Sequence, residues 1–281
     1  MNTNNKTPKL YIWQNYGLFL GTTFVPLSTY SVTADQLLLV IEGEIIKKKE
    51  NGEEVVVHSI LIRAGATIDM ATVDASTAVI AIFYLDPLGY EFSHLQGKMT
   101  KSTNDFYYNH PEENALIETC LWLREQNLTP EEVERYFKTM LVPEGEAPSG
   151  ESQYDPRIIK VMHLVRDNIT ENRSVKELAD AVHVSESRLR KLFKEQFGVP
   201  ITRYRLGCRL TTAVIYASGG ASITDAAMAA GFASTAHFST CFRAVFGIHL
   251  SAMLLKPPFL DVRIDKSITI PDPHDCVESS A

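Results

Sequence analysis

The sequence predicts an α+β chain of two domains, a β-rich N-terminal half followed by an all-helical C-terminal half, and three observations carry this. The run PEGEAPSGESQY between Val142 and Asp155 is rich in Pro, Gly, Ser and Glu and has no apolar periodicity, as a solvated linker does. Before it lie short Val/Ile/Leu/Tyr/Thr-rich runs broken by turn residues; after it apolar residues recur at helical spacing. The length of 281 residues fits about two domains, and 45% hydrophobic with 22% charged residues is ordinary globular composition, unlike collagen or disordered chains. The expected boundaries are a domain over 1–142, a linker over 143–154, a domain over 155–256 and a flexible tail over 257–281 without assignable function.

In the N-terminal half, LLLVIEGEIIKKKENGEEVVVHSILI places Glu50, Asn51 and Gly52 between two β-prone segments, and Asn-Gly there is a strong hairpin signal. Ala64-Gly65 marks a weaker turn. Several short strands at this spacing suggest a sandwich or small barrel. From Asp86 the texture changes: DPLGYEFSHLQGKM, EENALIETCLWLREQN and PEEVERYFKTML read as helices. Leu116, Cys120 and Leu123 recur at i, i+4, i+7, giving a stripe that serves either the chain's own core or dimerisation with a second copy.

In the C-terminal half, Asp155 caps a helix with Pro156 at its first position, and Ile158, Met162, Val165 and Ile169 share one face. Ser174 and Glu177 form a capping box before VKELADAV. Ser185 then opens ESRLRKLFKEQF, which Gly198 ends, and a longer segment ITRYRLGCRLTTAVIYA follows. Ser222 with Asp225 opens a second short helix that stops at Gly231, and Ser234 opens TAHFSTCFRAVF, which Gly247 ends.

These segments repeat. Ser185, Leu189, Phe193, Phe197 and Gly198 are matched 49 positions on by Ser234, Phe238, Phe242, Phe246 and Gly247, while Ala179 and Val184 match Ala227 and Phe232 at an offset of 48. Two copies of helix, tight turn and capped helix are two helix-turn-helix units. At 100° per residue, the side opposite the apolar face carries Ser187, Arg190, Lys191 and Lys194 in the first unit and Ala236, Ser239, Thr240 and Arg243 in the second.

Charge points the same way. Residues 1–153 carry 11 Lys/Arg against 21 Asp/Glu, residues 154–256 carry 14 against 8, and the tail 2 against 5. A basic domain joined to an acidic one fits approach to a polyanion by one half only. A helix fits the DNA major groove, where Arg or Lys grips guanine and Ser or Thr reaches bases or phosphates. The connecting segment, about 25 Å long as a helix, sets two reading helices on one duplex face, and its Arg203, Arg205 and Arg209 are expected phosphate contacts.

The stretch from about Val175 to Leu255 resembles the AraC/XylS family of bacterial transcription regulators, through KELADAVHVSESRLRKLFKEQFGVPITRYRLGCRL and SITDAAMAAGFASTAHFSTCFRAVFG with Gly231, Phe232, Ser234, Phe238, Phe242 and Gly247 in place. It departs from the family where Ala226 and Ala230 stand for larger apolar residues, and where Leu250 and Met253 stand near a usual Pro and aromatic. The resemblance implies an N-terminal cupin-like β-barrel with dimerisation helices, and base-facing positions at Ser187, Arg190, Lys191, Thr235, Ala236, Ser239 and Thr240. The DNA-binding set expected is Ser185, Ser187, Arg188, Arg190, Lys191 and Lys194 in the first unit, and Ser234, Thr235, Ala236, Ser239, Thr240 and Arg243 in the second.

The expected partners are double-stranded DNA, RNA polymerase, a second copy of the chain and a small-molecule effector in the barrel; a protein partner controlling the N-terminal half is the alternative. A cupin enzyme needs clustered His and Glu ligands, whereas the barrel region offers only His58, with His94 and His110 in later segments, so neither metal nor other cofactor nor catalysis is expected. Tyr11, Trp13, Tyr16 and Phe24 suit core packing better than an effector pocket. Cys120, Cys208, Cys241 and Cys276 form no CxxC pair and read as reduced thiols. With no apolar run of about 20 residues and no signal-peptide core in MNTNNKTPKL, the expected setting is cytoplasmic, away from membranes.

Overall fold

A computed structural model describes residues 6–22, 28–49, 51–142, 154–254 and 260–268. In chain order the elements are β1 (Lys9–Ile12), β2 (Gly17–Thr22), β3 (Tyr30–Ser31), β4 (Gln36–Glu42), β5 (Ile45–Lys48), β6 (Glu54–Val57), β7 (Ser59–Ile62), β8 (Thr67–Ile68), β9 (Val73–Asp74), β10 (Val79–Tyr84), α1 (Glu91–Lys98), β11 (Lys101–Thr103), β12 (Phe106–Tyr108), α2 (Glu113–Glu125) and α3 (Pro130–Leu141). They are followed by α4 (Pro156–Asp167), α5 (Val175–Ala181), α6 (Glu186–Phe197), α7 (Ile201–Ser218), α8 (Ile223–Ala229), α9 (Thr235–Phe246), α10 (Leu250–Leu254) and β13 (Asp261–Ile264). The described residues form two compact units, one from the chain up to 142 together with 246–268, the other from 154–245. Residues 246–254, expected in the second domain, thus group with the first. Apart from Tyr154, the expected linker lies outside the described residues, as do Phe24, Cys276 and most of the expected tail.

The first unit is a mixed sheet of eight strands in the order β11-β12-β7-β4-β10-β2-β1-β13, accompanied by the small sheets β3-β8 and β6-β5-β9. The Asn51-Gly52 signal does mark a hairpin: β5 and β6 pair antiparallel, and Gly52 takes φ +81. A closed barrel does not form, because β11 and β13 at the two ends of the large sheet do not pair with each other. The sheet is instead buried on both faces, and strict alternation divides its side chains. Tyr11, Leu18, Phe83, Leu37 and Leu61 stand opposite one another on five neighbouring strands and are each fully buried. They join Val133, Phe137 and Leu141 of α3 in one core. The alternate residues Phe19, Leu38, Val40 and Ile80 pack with Ile45, Val57 and Ala75 on the other face. That double burial is why β4 reads QLLLVIE, nearly unbroken apolar, rather than alternating.

Three expectations about this unit are corrected. Residues 257–281 are not wholly a tail, since β13 adds to the edge of the sheet parallel to β1, with Lys9 opposite Asp261 and Ile12 opposite Ile264. Arg263 anchors it, donating to the Leu128 carbonyl at 2.6 Å and to Asn127 Oδ1 at 2.6 Å, with its guanidinium 5.7 Å from the Tyr11 ring centroid. The proposed dimerisation stripe is core: Leu116, Cys120 and Leu123 of α2 are 6%, 0% and 0% exposed and pack on the sheet. What α2 and α3 present outward is Trp122 and Tyr136, both 41% exposed, with ring centroids 4.9 Å apart. They border a shallow groove of about 660 Å³ with Ala115, Thr119, Thr139 and Met140. Finally, α1 is shorter than DPLGYEFSHLQGKM suggested, and β11 and β12 follow it where helix or loop was expected. Tyr11 and Trp13 are buried, and Trp13 stacks on Tyr16, so these aromatics belong to the core.

Candidate nucleic-acid interface

The second unit is built on capped helices. Asp155 accepts the Arg157 N–H at 2.9 Å at the start of α4, and its carboxyl, held by hydrogen bonds from Arg157, is pulled down to about 2. Ser174 and Glu177 make the capping box of α5. Ser185 accepts the Arg188 N–H at 3.3 Å to open α6, and Ser222 accepts the Asp225 N–H at 3.1 Å to open α8. Ser234 accepts the His237 N–H at 3.1 Å at the start of α9. Each second helix buries an i, i+4 pair, Leu189 with Phe193 in α6 and Phe238 with Phe242 in α9; Leu192 and Cys241 are only half-buried.

The turns that set α5 against α6 and α8 against α9 have the same backbone. The Val184 N–H donates to the Ala179 carbonyl at 3.1 Å, and the Phe232 N–H to the Ala227 carbonyl at 2.9 Å. One residue earlier, the His183 N–H reaches Asp180 O at 3.1 Å and the Gly231 N–H reaches Met228 O at 2.9 Å. The chain leaves each first helix through one left-handed residue, His183 at φ +56 and Gly231 at φ +78. The offset of 48 seen in the sequence is therefore a structural equivalence. It brings α6 and α9 into corresponding positions of their units.

On α6 the outward side is cationic. Ser185, Ser187, Arg188, Arg190, Lys191 and Lys194 are all exposed. Arg190 is held by Glu186, with Nε–Oε1 at 2.9 Å and Nη2–Oε1 at 2.6 Å, and Lys191 lies 3.7 Å from Glu195. Such exposed i,i+4 pairs contribute only about 0.3–0.5 kcal/mol and are readily exchanged for other anions. On α9 the outward side is small and nearly uncharged: Ser234, Ala236, Thr240 and Arg243 are exposed, Thr235 and Ser239 half-buried. The Thr240 hydroxyl donates to the Ala236 carbonyl at 3.0 Å, and the Thr235 hydroxyl to Thr224 Oγ1 at 3.2 Å.

Between the units runs α7, 18 residues and about 27 Å long at 1.5 Å per residue. Its arginines are half-buried and do work that spacing did not reveal. Arg205 Nη2 donates to the Arg173 carbonyl at 2.6 Å, and Arg209 reaches the Ile169 carbonyl at 3.3 Å and Asn172 Oδ1 at 2.6 Å. They tie α7 to the loop between α4 and α5. Burial pulls the guanidinium pKa of Arg203, Arg205 and Arg209 down. Gly231 sits against the same group, for a Cβ there would lie 3.0 Å from the Ile169 carbonyl and 3.1 Å from Arg209 Nη2. Arg209 thus touches the turn of the second unit while holding the loop that enters the first. The matching offset of His183 and Gly231 was a signal available in the sequence; the Arg209 contacts had none.

Among the described residues no group of three or more His, Cys, Asp or Glu side chains is placed to hold a metal ion, and no helix is long and apolar enough to cross a membrane.

Residues 178–255 match a family model described as a helix-turn-helix domain. The chain is 36% identical over 94 residues to the HTH-type transcriptional regulator GbdR of Pseudomonas aeruginosa, covering 33% of this chain and 26% of GbdR. It therefore spans about a quarter of that relative's length. Its fold is similar to apo ToxT from Vibrio cholerae strain SCE256, with a TM-score of 0.54 at 15% identity over 85% of this chain and 96% of ToxT. A second ToxT structure, of the protein with bound unsaturated fatty acid, has a TM-score of 0.50 at 13% identity over 89% of this chain and 95% of the other.

Proposed function

Since residues 178–255 are a helix-turn-helix domain of the AraC type, we propose that this protein is a sequence-specific DNA-binding transcription regulator, an activator, that reads two successive half-sites with α6 and α9. The observation that carries the reading is the doubled unit with one turn geometry, presenting equivalent outward faces on the two helices. Its resemblance to GbdR, which is named a transcriptional regulator, supports the same role. Arg190 and Lys191 leave their carboxylate partners for guanine, and Arg188 and Lys194 meet phosphate. Arg205 and Arg209 act chiefly by fixing α7 in place, and Arg203 remains the phosphate contact of that helix.

The N-terminal unit, in this reading, binds a small apolar effector and dimerises, and it performs no catalysis. A fold neighbour solved with an unsaturated fatty acid supports such an effector. Dimerisation falls to the outer face of α2 and α3 around Trp122 and Tyr136, since the stripe first considered is buried. The effector shifts the population of DNA-competent arrangements, and RNA polymerase is the partner at the promoter. The test is capture of genomic fragments by the full-length protein at physiological salt, where non-specific phosphate binding is weak. Enrichment of a few promoter-proximal sites with half-sites about one helical turn apart supports the reading; salt-sensitive binding without sequence preference overturns it.

A further inference from the structure

The two reading helices differ in chemistry at equivalent positions. Moving 49 residues along the chain replaces Ser187, Arg190, Lys191 and Glu195 of α6 by Ala236, Ser239, Thr240 and Ala244 of α9, while the buried Leu189 and Phe193 become Phe238 and Phe242. The core register is kept, so the substitutions fall on the same outward face. Where α6 offers charged donors, α9 offers methyl groups. The hydroxyls that might have restored polarity are turned elsewhere: that of Thr240 donates back to the Ala236 carbonyl, and that of Thr235 to Thr224 on the preceding helix. With its hydroxyl turned onto the helix, Thr240 presents its methyl carbon outward beside the exposed Ala236. Ala244 is exposed one turn further on.

In the major groove the one apolar feature of a base pair is the C5 methyl of thymine, which Ala and Thr methyl groups contact. A face of this kind leaves guanine N7 and O6 and the amino groups of adenine and cytosine without partners, so it discriminates by where a methyl group is present. We propose that α9 reads thymine methyl groups, through Ala236 and Thr240, while α6 reads guanine, so that the two half-sites of the operator differ in kind. This rests on the DNA-reading role of the second unit. Arg243, equivalent to Lys194, contributes a phosphate contact that fixes the helix in register.

The test uses the full-length protein and a duplex selected by it from a random pool. Replacing thymine by uracil removes the C5 methyl and nothing else. Each contacted thymine in the α9 half-site should then cost about fourfold in affinity, the worth of one buried methyl, and 5-methylcytosine at the same position should restore part of it. Uracil in the α6 half-site should have no effect there, whereas 7-deazaguanine, which lacks the N7 acceptor, should weaken binding. Thr240→Ser removes the protein's methyl and keeps the hydroxyl bonded to the helix, so it should abolish the uracil penalty at one position and leave the others. Specific binding that is indifferent to uracil throughout the α9 half-site overturns the proposal and leaves the regulator reading intact. Failure to select any sequence overturns both.

Discussion

His183 and Gly231 occupy the same left-handed position in the turns of the two units, one with a side chain and one without. A left-handed conformation costs an L-residue roughly 1–2 kcal/mol, and a glycine there gives part of that back as unfolded-state entropy. His183→Gly should therefore raise the stability of the second unit by up to about 1 kcal/mol. Gly231→Ala should lower it by more than about 1 kcal/mol, because it adds the same strain and crowds the Ile169 carbonyl at 3.0 Å. Thermal unfolding of the two variants checks both signs; a Gly231→Ala protein that melts with the wild type contradicts the equivalence drawn between the turns.

Arg209 is placed to hold the loop between α4 and α5 against α7. Its replacement by Ala leaves the half-buried Ile169 carbonyl and Asn172 amide oxygen without their donor, at a cost of about 1–3 kcal/mol. Arg209→Lys should recover little, since an ammonium cannot span both acceptors as the planar guanidinium does. Denaturant titration of the three proteins measures the order; full rescue by Lys would show that only charge matters.

The outer face of α2 and α3 and its inner stripe are expected to respond oppositely. Trp122→Glu should leave the fold intact and weaken self-association, read as a shift toward monomer in sedimentation. Cys120→Asp, by contrast, buries an uncompensated charge at a site with no exposure and should cost about 3–5 kcal/mol of stability. A Trp122→Glu protein that sediments as the wild type removes this face from the dimer.

His110 links acidity to the start of α2. Its Nδ1 accepts the Glu112 N–H at 3.2 Å, which requires the neutral ring, and burial together with Lys98 and His94 lowers its pKa while Glu112 and Glu113 oppose this. With the folded value below 6.5, the unfolded chain takes up the proton first as pH falls. Stability from this site is present above about pH 6.5 and is lost progressively below it. His110→Asn keeps a local acceptor without a titrating ring, so its stability should change less between pH 7 and pH 5 than that of the wild type. Equal slopes for the two proteins would show that other groups carry the acid response.

The parts of the fold legible in the sequence were those decided locally. Asp155, Ser174, Ser185, Ser222 and Ser234 announce helix starts because a cap needs only its own next turn, and the Leu189/Phe193 and Phe238/Phe242 spacing announces the faces those helices bury. The direction of the α2 stripe was not legible, since Leu116, Cys120 and Leu123 have the same spacing whether they meet the chain's own sheet or a second copy. Nor was β13: four half-buried residues beyond the second domain carry no periodic signal, and only the unfilled edge of β1 gives them a place. Within the interface, outward positions followed from helical geometry. That Arg205 and Arg209 bond to carbonyls of a loop more than thirty residues away is a long-range fact.

The claim that two unlike helices read DNA together is tested most directly by measuring, on the selected operator, the affinity of the full-length protein and of Arg190→Ala against single base-pair changes in both half-sites. The account predicts that Arg190→Ala costs about 1–3 kcal/mol and relaxes preference at one position of the first half-site, with preferences in the second unchanged. An Arg190→Ala protein whose base preferences are unchanged at every position would contradict it.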